Sequence, residues 1–133
     1  MNEKPDWIET HLKQIRMYQQ QLNELPEEGI VERMERIEIL SKMLVFIGKL
    51  AGELSEEYKM FYAKRKRIHA ETYLKAKKNK AVEAELAVTK IREEEAQAYG
   101  NMQRWRNAFE STKEEINALK YKLRISFEDG SSR

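Results

Sequence analysis

Apolar positions recur along this chain at steps of three and four, the period of an α-helix rather than a strand. In the first segment Ile8, Leu12, Ile15 and Leu22 share one face, which Trp7, Tyr18 and Leu25 widen. Asp6 is the expected N-cap, with Glu9 three residues on to complete a capping box. Leu25-Pro26 should close the helix, because the residue before a proline is pushed out of the α region. Pro26 then suits the first turn of the next helix, where Glu27 and Glu28 favour the positive end of its dipole.

From Ile30 the stripe runs Ile30, Met34, Ile37, Leu44, Ile47, Ala51, Leu54, Tyr58, Phe61 and Ile68, with polar interruptions at Ser41 and Arg65. Near its middle it broadens to take in Leu40, Met43, Phe46 and Leu50, a width that serves more than one neighbour. Gly48 and Gly52 lie inside it and are read as a close helix crossing. The last third is more regular: Ala84, Val88, Ile91, Glu95, Ala98, Met102, Trp105, Phe109, Thr112, Ile116, Leu119 and Leu123 alternate four and three without a slip. More than five heptads of that kind predict a coiled-coil-like helix. Between the two stripes Lys77-Lys78-Asn79-Lys80 is strongly polar and poorly periodic, which places a turn there.

The expected fold class is therefore all-α: a long helical hairpin with coiled-coil-like heptads plus an N-terminal helix. The helices are placed at about 6–25, 27–76 and 81–125, in a single domain over 1–125, with 126–133 (SFEDGSSR) as a disordered tail. Helices of about 45 residues run roughly 65 Å, and one hairpin cannot cover stripes that long and wide. Either the N-terminal helix folds back as a third member or copies of the chain pack together as a homo-oligomeric bundle or ring. The residues assigned to self-association are Trp105, Phe109, Ile116, Leu119 and Leu123.

Composition narrows the function. Charged residues make up 36% of the chain, against only five glycines and two prolines, which suits long helices rather than strands and turns. The absence of cysteine excludes disulfides and thiolate metal sites, and it fits a cytoplasmic protein. No apolar run is long enough for a membrane span, and the opening MNEKPDW lacks the apolar region of a signal peptide. His11 and His69 stand apart from each other and from any carboxylate pair. Glu93, Glu94 and Glu95 point about 100° apart on a helix, so they do not converge on a cation. With no phosphate loop and no nucleophile motif, neither an enzyme nor a cofactor is expected.

Charge placement is more telling than the net charge of +2. Lys64, Arg65, Lys66, Arg67, Lys75, Lys77, Lys78 and Lys80 face a single acid, Glu71, within seventeen residues, a local charge of +7. Around them sit Tyr58, Phe61, Tyr62 and Tyr73. Bases of that density hold phosphates, and rings offer faces on which unpaired bases stack, so this segment is the candidate single-stranded nucleic-acid site, with Tyr73 as its stacking residue. The bland alternative is a solvated helix face whose aromatics fall at helical spacing. Trp105, flanked by Arg104 and Arg106, lies on the stripe and is read as core.

Two short segments resemble the recombination mediator proteins of T4-type phages, the UvsY-like family. Leu74-Lys75-Ala76-Lys77 is similar to that family's segment bearing basic residues for single-stranded DNA, which would give that role to Lys75 and Lys77. Trp105, then Ile116-Asn117-Ala118-Leu119-Lys120 and Lys122, is similar to its C-terminal assembly segment. The chain departs from the family in having only a few polar residues between its halves. The resemblance implies a ring that binds single-stranded DNA and helps a recombinase displace a single-strand-binding protein, without covalent chemistry, in a phage-infected or bacterial cell. Two other readings stay open: a coiled-coil structural or regulatory adaptor working through protein contacts, and a helical binder of duplex or RNA.

Overall fold

The structure, a computed structural model, describes residues 4–131, with side chains described for 7–130. It is all-α: 92% helical, with four helices and no strand among the described residues. They are α1 (Lys4–Glu24), α2 (Ile30–Lys75), α3 (Lys80–Ala87) and α4 (Thr89–Ser131). The described residues divide into two compact units. Those up to Leu50 and from Trp105 on form one, and residues 51–104 form the other.

The first unit is built from α1 and the outer lengths of α2 and α4. Leu22 of α1, Ile39, Leu40, Met43 and Ile47 of α2 and Ile116 of α4 make its core, with Ile15, Tyr18, Trp105, Phe109 and Leu119 packed against it. The N-terminal helix is thus a third member of a bundle within one chain. The broad middle of the α2 stripe is explained by this, since one helix there serves two neighbours. Leu40, Met43 and Leu50 are buried, while Ile30, Met34 and Ser41 of the expected stripe are exposed. Burying a side chain the size of Leu40 or Leu50 stabilises the unit by about 1.5–3 kcal/mol each.

The four assembly residues Trp105, Phe109, Ile116 and Leu119 therefore pack inside the chain, and Leu123 is half-buried.

The ends of the elements differ from the expected ones for identifiable reasons. Helix α1 already begins at Lys4, so Asp6 lies within its first turn rather than capping it, and Pro5 is tolerated where no backbone donor is needed. Helix α2 starts at Ile30 because Gly29 takes a φ of 115°, a left-handed conformation that ends any helix begun at Pro26. The Gly29 carbonyl then accepts the first bond of α2, from Arg33 N at 3.1 Å. Arg36 Nη2 donates to the Leu22 and Leu25 carbonyls at 3.5 and 3.4 Å, and the Leu22 carbonyl also takes Leu25 N at 3.2 Å, so the side chain braces the end of α1. Of the expected tail, residues 126–131 continue α4 as helix to Ser131, and residues 132–133 lie outside the described residues. Ser126 lies where Arg33 Nη1 donates to its hydroxyl at 3.0 Å, which ties α4 to the start of α2 beyond the expected end.

The second unit pairs the inner length of α2 with α3 and the first part of α4. Its buried side chains are Ala51, Leu54, Ala84, Val88, Ile91, Ala98 and Met102. Three of the seven are alanine, so this is the leaner of the two cores. The turn between α2 and α3 occupies 76–79 and is closed by Asn79 at φ 51°, ψ 47°. Asparagine tolerates that left-handed region better than most residues. A second break, unexpected from the sequence, falls at Val88, with φ −106° and ψ 7°. Two β-branched residues meet there, and Thr89 Oγ1 bonds back to the Glu85 carbonyl at 3.3 Å, a bond that tends to bend helices.

The two stripe glycines also separate. A Cβ on Gly48 would lie 3.1 Å from Phe109 Cε2, whereas one on Gly52 would meet nothing within 4 Å. Only Gly48 marks a close approach. Replacing Gly52 by Ala should raise the unfolding free energy in urea by about 1 kcal/mol, the helix-propensity difference. Gly48→Ala should gain clearly less or lose stability, because Phe109 must yield. Equal gains at both positions would contradict the close packing of Phe109 on α2.

Candidate nucleic-acid interface

The basic cluster lies on the last three turns of α2, on the turn after it and at the start of α3, all within the second unit. Lys64, Lys66, Arg67, Lys75, Lys77, Lys78 and Lys80 are exposed. Arg65 is not one of them. It occupies the polar gap in the α2 stripe, and Glu95 occupies the polar gap in the α4 stripe. The structure brings these two residues together: Arg65 Nε donates to Glu95 Oε1, and Nη2 to Oε2 at 3.4 Å. Their side chains are only 19% and 12% exposed. A residue assigned to phosphate is thus a cross-helix fork joining α2 to α4.

The hydrogen bond to Glu95, reinforced by the charges of Glu95, Tyr62 and Tyr58, outweighs desolvation and holds the Arg65 guanidinium above its ordinary arginine value. Raised in the fold, this pKa contributes stability that is fully present below the ordinary arginine value and lost only above it. At working pH the contribution is constant.

Lys80 also has a structural task. Its Nζ donates to the carbonyls of Ala76 at 2.6 Å and Tyr73 at 3.2 Å, closing the C-terminus of α2 across the turn. Arg67 meets Glu71 at 3.6 Å on the surface, a contact of little energetic weight. Lys64, Lys66, Lys75, Lys77 and Lys78 are the lysines best placed for a partner.

Two rings stay available beside them. Tyr62 is 42% exposed and Tyr73 46%. Arg65 and Lys66 stand 5.3 and 5.4 Å from the Tyr62 centroid, and Lys80 stands 5.8 Å from that of Tyr73. Tyr58 instead meets Tyr99 edge-on at 5.3 Å, so it belongs to the packing between α2 and α4.

The structure adds a basic residue that the linear cluster omits. Arg92 of α4 forks onto Glu85 of α3 at 2.8 and 3.3 Å, and His69 Nε2 of α2 meets the same carboxylate at 3.3 Å. Arg92 lies outside the basic run in sequence, in an otherwise acidic stretch, so only the turn at 76–79 brings it near. His11 sits among rings, 5.9 Å from Trp7 and 6.1 Å from Phe46, and its buried Nδ1 has no partner. Among the described residues no group of three His, Cys, Asp or Glu could hold a metal ion, and no helix is long and apolar enough to cross a membrane.

What these features define is an all-α protein with a basic helical hairpin. No protein-family model, curated protein or solved structure matches the chain.

Substituting Arg65 by Ala should lower the unfolding free energy by about 2 kcal/mol, because Glu95 keeps its partial burial and loses its charge partner. The double replacement Arg65→Leu with Glu95→Leu should recover most of that loss. A double variant no more stable than the single one, by urea denaturation, would show that the fork is not what joins the helices here.

Proposed function

We propose that this protein binds single-stranded DNA without catalysing a reaction on it, and that it acts as a recombination mediator assisting the loading of a recombinase. The observation that carries this reading is the exposed group Lys64, Lys66, Lys75, Lys77 and Lys78, on one helical hairpin with the exposed rings of Tyr62 and Tyr73. Charge of that density attracts the phosphate backbone, and the rings suit unstacked bases. The resemblance of Leu74-Lys75-Ala76-Lys77 to the phage mediators supplies the recombination context.

Assembly belongs to this proposal. Each protomer's contact is charge-driven and weak at physiological salt, and several hairpins on one strand would multiply it. In this proposal assembly uses surfaces other than Trp105, Phe109, Ile116 and Leu119, which pack within the chain. A cytoplasmic location in a bacterial or phage-infected cell goes with the same reading. The second reading is a helical adaptor that works through protein contacts. It is favoured by Leu74, 79% exposed on the hairpin, and by the exposed Val82 and Leu86 one turn apart on α3.

Replacing Lys75 and Lys77 together by Ala should weaken binding to a labelled oligo-dT in fluorescence anisotropy. If each lysine contacts one phosphate, the log–log salt slope should fall by about 1.4, at roughly 0.7 per single-strand contact. Helix content by circular dichroism should not change. Unchanged affinity and slope would move the contact away from this segment.

A further inference from the structure

Within the second unit a small cleft of about 170 Å³ is lined by Arg65, Lys66, His69, Glu85 and Arg92. At about 30 Å³ per water, that is room for five or six waters, or for one tetrahedral anion with some of its hydration. Four of the five lining side chains carry nitrogen donors, and they come from both α2 and α4. The fifth, Glu85, supplies the only carboxylate of the lining. Its Oε2 takes Arg92 Nη1 at 2.8 Å, and its Oε1 takes both Arg92 Nη2 and His69 Nε2 at 3.3 Å.

A carboxylate held by an arginine fork and an imidazole, inside a cleft of basic groups, stands where an external anion would bind. It is also held loosely. The Arg92 and Glu85 side chains are about half exposed, and ion pairs of that kind contribute about 0–1 kcal/mol. Arg92 presents a planar fork that matches phosphate oxygens in pairs, and Lys66 adds a compact charge. Arg65 lends part of its field while Glu95, outside the lining, fixes its position.

We propose that this cleft takes one phosphate group of the bound strand, and that Glu85 occupies it in the free protein and is displaced when the strand arrives. The inference rests on the strand-binding reading above and adds three things to it. It makes contact residues of Arg92, from outside the linear basic cluster, and of His69, from within it. It fixes where one phosphate sits. It also makes Glu85 a competitor that tunes affinity. An internal phosphodiester and a terminal phosphomonoester share the chemistry the cleft recognises.

The test uses the full chain with oligo-dT bearing either a 5′-phosphate or a 5′-hydroxyl, read by fluorescence anisotropy. Glu85→Gln should tighten binding several-fold, because the competing charge is gone while the side-chain shape is kept. Glu83→Gln, the same charge change outside the cleft, should do clearly less. Arg92→Gln should weaken binding about tenfold, and Lys90→Gln clearly less, with helix content by circular dichroism unchanged in all four variants.

A preference for the 5′-phosphate that disappears in Arg92→Gln assigns the cleft to a strand end. Equal weakening of both oligonucleotides assigns it to an internal phosphate. Both outcomes support the proposal. Intact wild-type binding that neither Glu85→Gln nor Arg92→Gln alters beyond its control overturns the cleft and leaves strand binding standing. If no oligonucleotide binds at all, the strand-binding reading itself fails. The cleft is then judged by titrating inorganic phosphate against the His69 ring signals in NMR: a shift lost in Arg92→Gln supports a phosphate site, and no shift overturns it.

Discussion

The fork between Arg65 and Glu95 is the contact on which the basic hairpin depends. The core of residues 51–104 is lean, with alanine at three of its seven buried positions. Both helices carry a charge at the point where their apolar stripes meet, and each charge is offset by the other. A half-buried guanidinium without its carboxylate would cost more than the small side chains nearby could offset. Removing both charges is tolerable, and removing one is not. The pair holds α2 beside α4 just before the turn, and the exposed lysines are displayed from that support.

Anchoring and display fall to different residues of the same basic run. Arg65 joins helices and Lys80 closes the end of α2, so two of the eight bases have internal work. Lys64, Lys66, Lys75, Lys77 and Lys78 are directed outward, and Tyr62 and Tyr73 keep their rings exposed among them. Arg92 arrives from the far side of the turn. The interface is therefore a feature of the folded hairpin more than of a linear segment, which is why a count of charges along the chain both overstates and understates it.

The inward face of α3 and α4 was fully legible: every position of the four–three alternation, from Ala84 to Leu123, is buried or half-buried. The turn near Lys77–Lys80 was legible for the same reason, since periodicity stops where no core needs covering. Arg65 and Glu95 showed as gaps in two separate stripes, but their pairing depends on the register between helices, and no single-stripe pattern carries that. The start of α2 was misplaced because Pro26 gives a local signal that the left-handed Gly29 overrides. The break at Val88 involves one residue and no glycine or proline, so it left little trace beyond two adjacent β-branched side chains. Self-association was assigned to Trp105, Phe109, Ile116 and Leu119 because a stripe shows that a partner exists without showing whose chain supplies it, and α1 and α2 supply it here.

The central claim is that this hairpin grips an unpaired strand by its phosphates and offers rings to its bases. The most direct measurement is the affinity of the unmodified protein for oligo-dT and for a duplex of matched length, each at two salt concentrations. The account predicts tighter binding to the single strand, with affinity falling as salt rises by roughly 0.7 log units per log unit of salt for each phosphate contacted. Equal or tighter binding to the duplex would contradict the role of the tyrosine rings. No binding to either at low salt would contradict the whole assignment and leave the exposed Leu74, Val82 and Leu86 as the surface to explain.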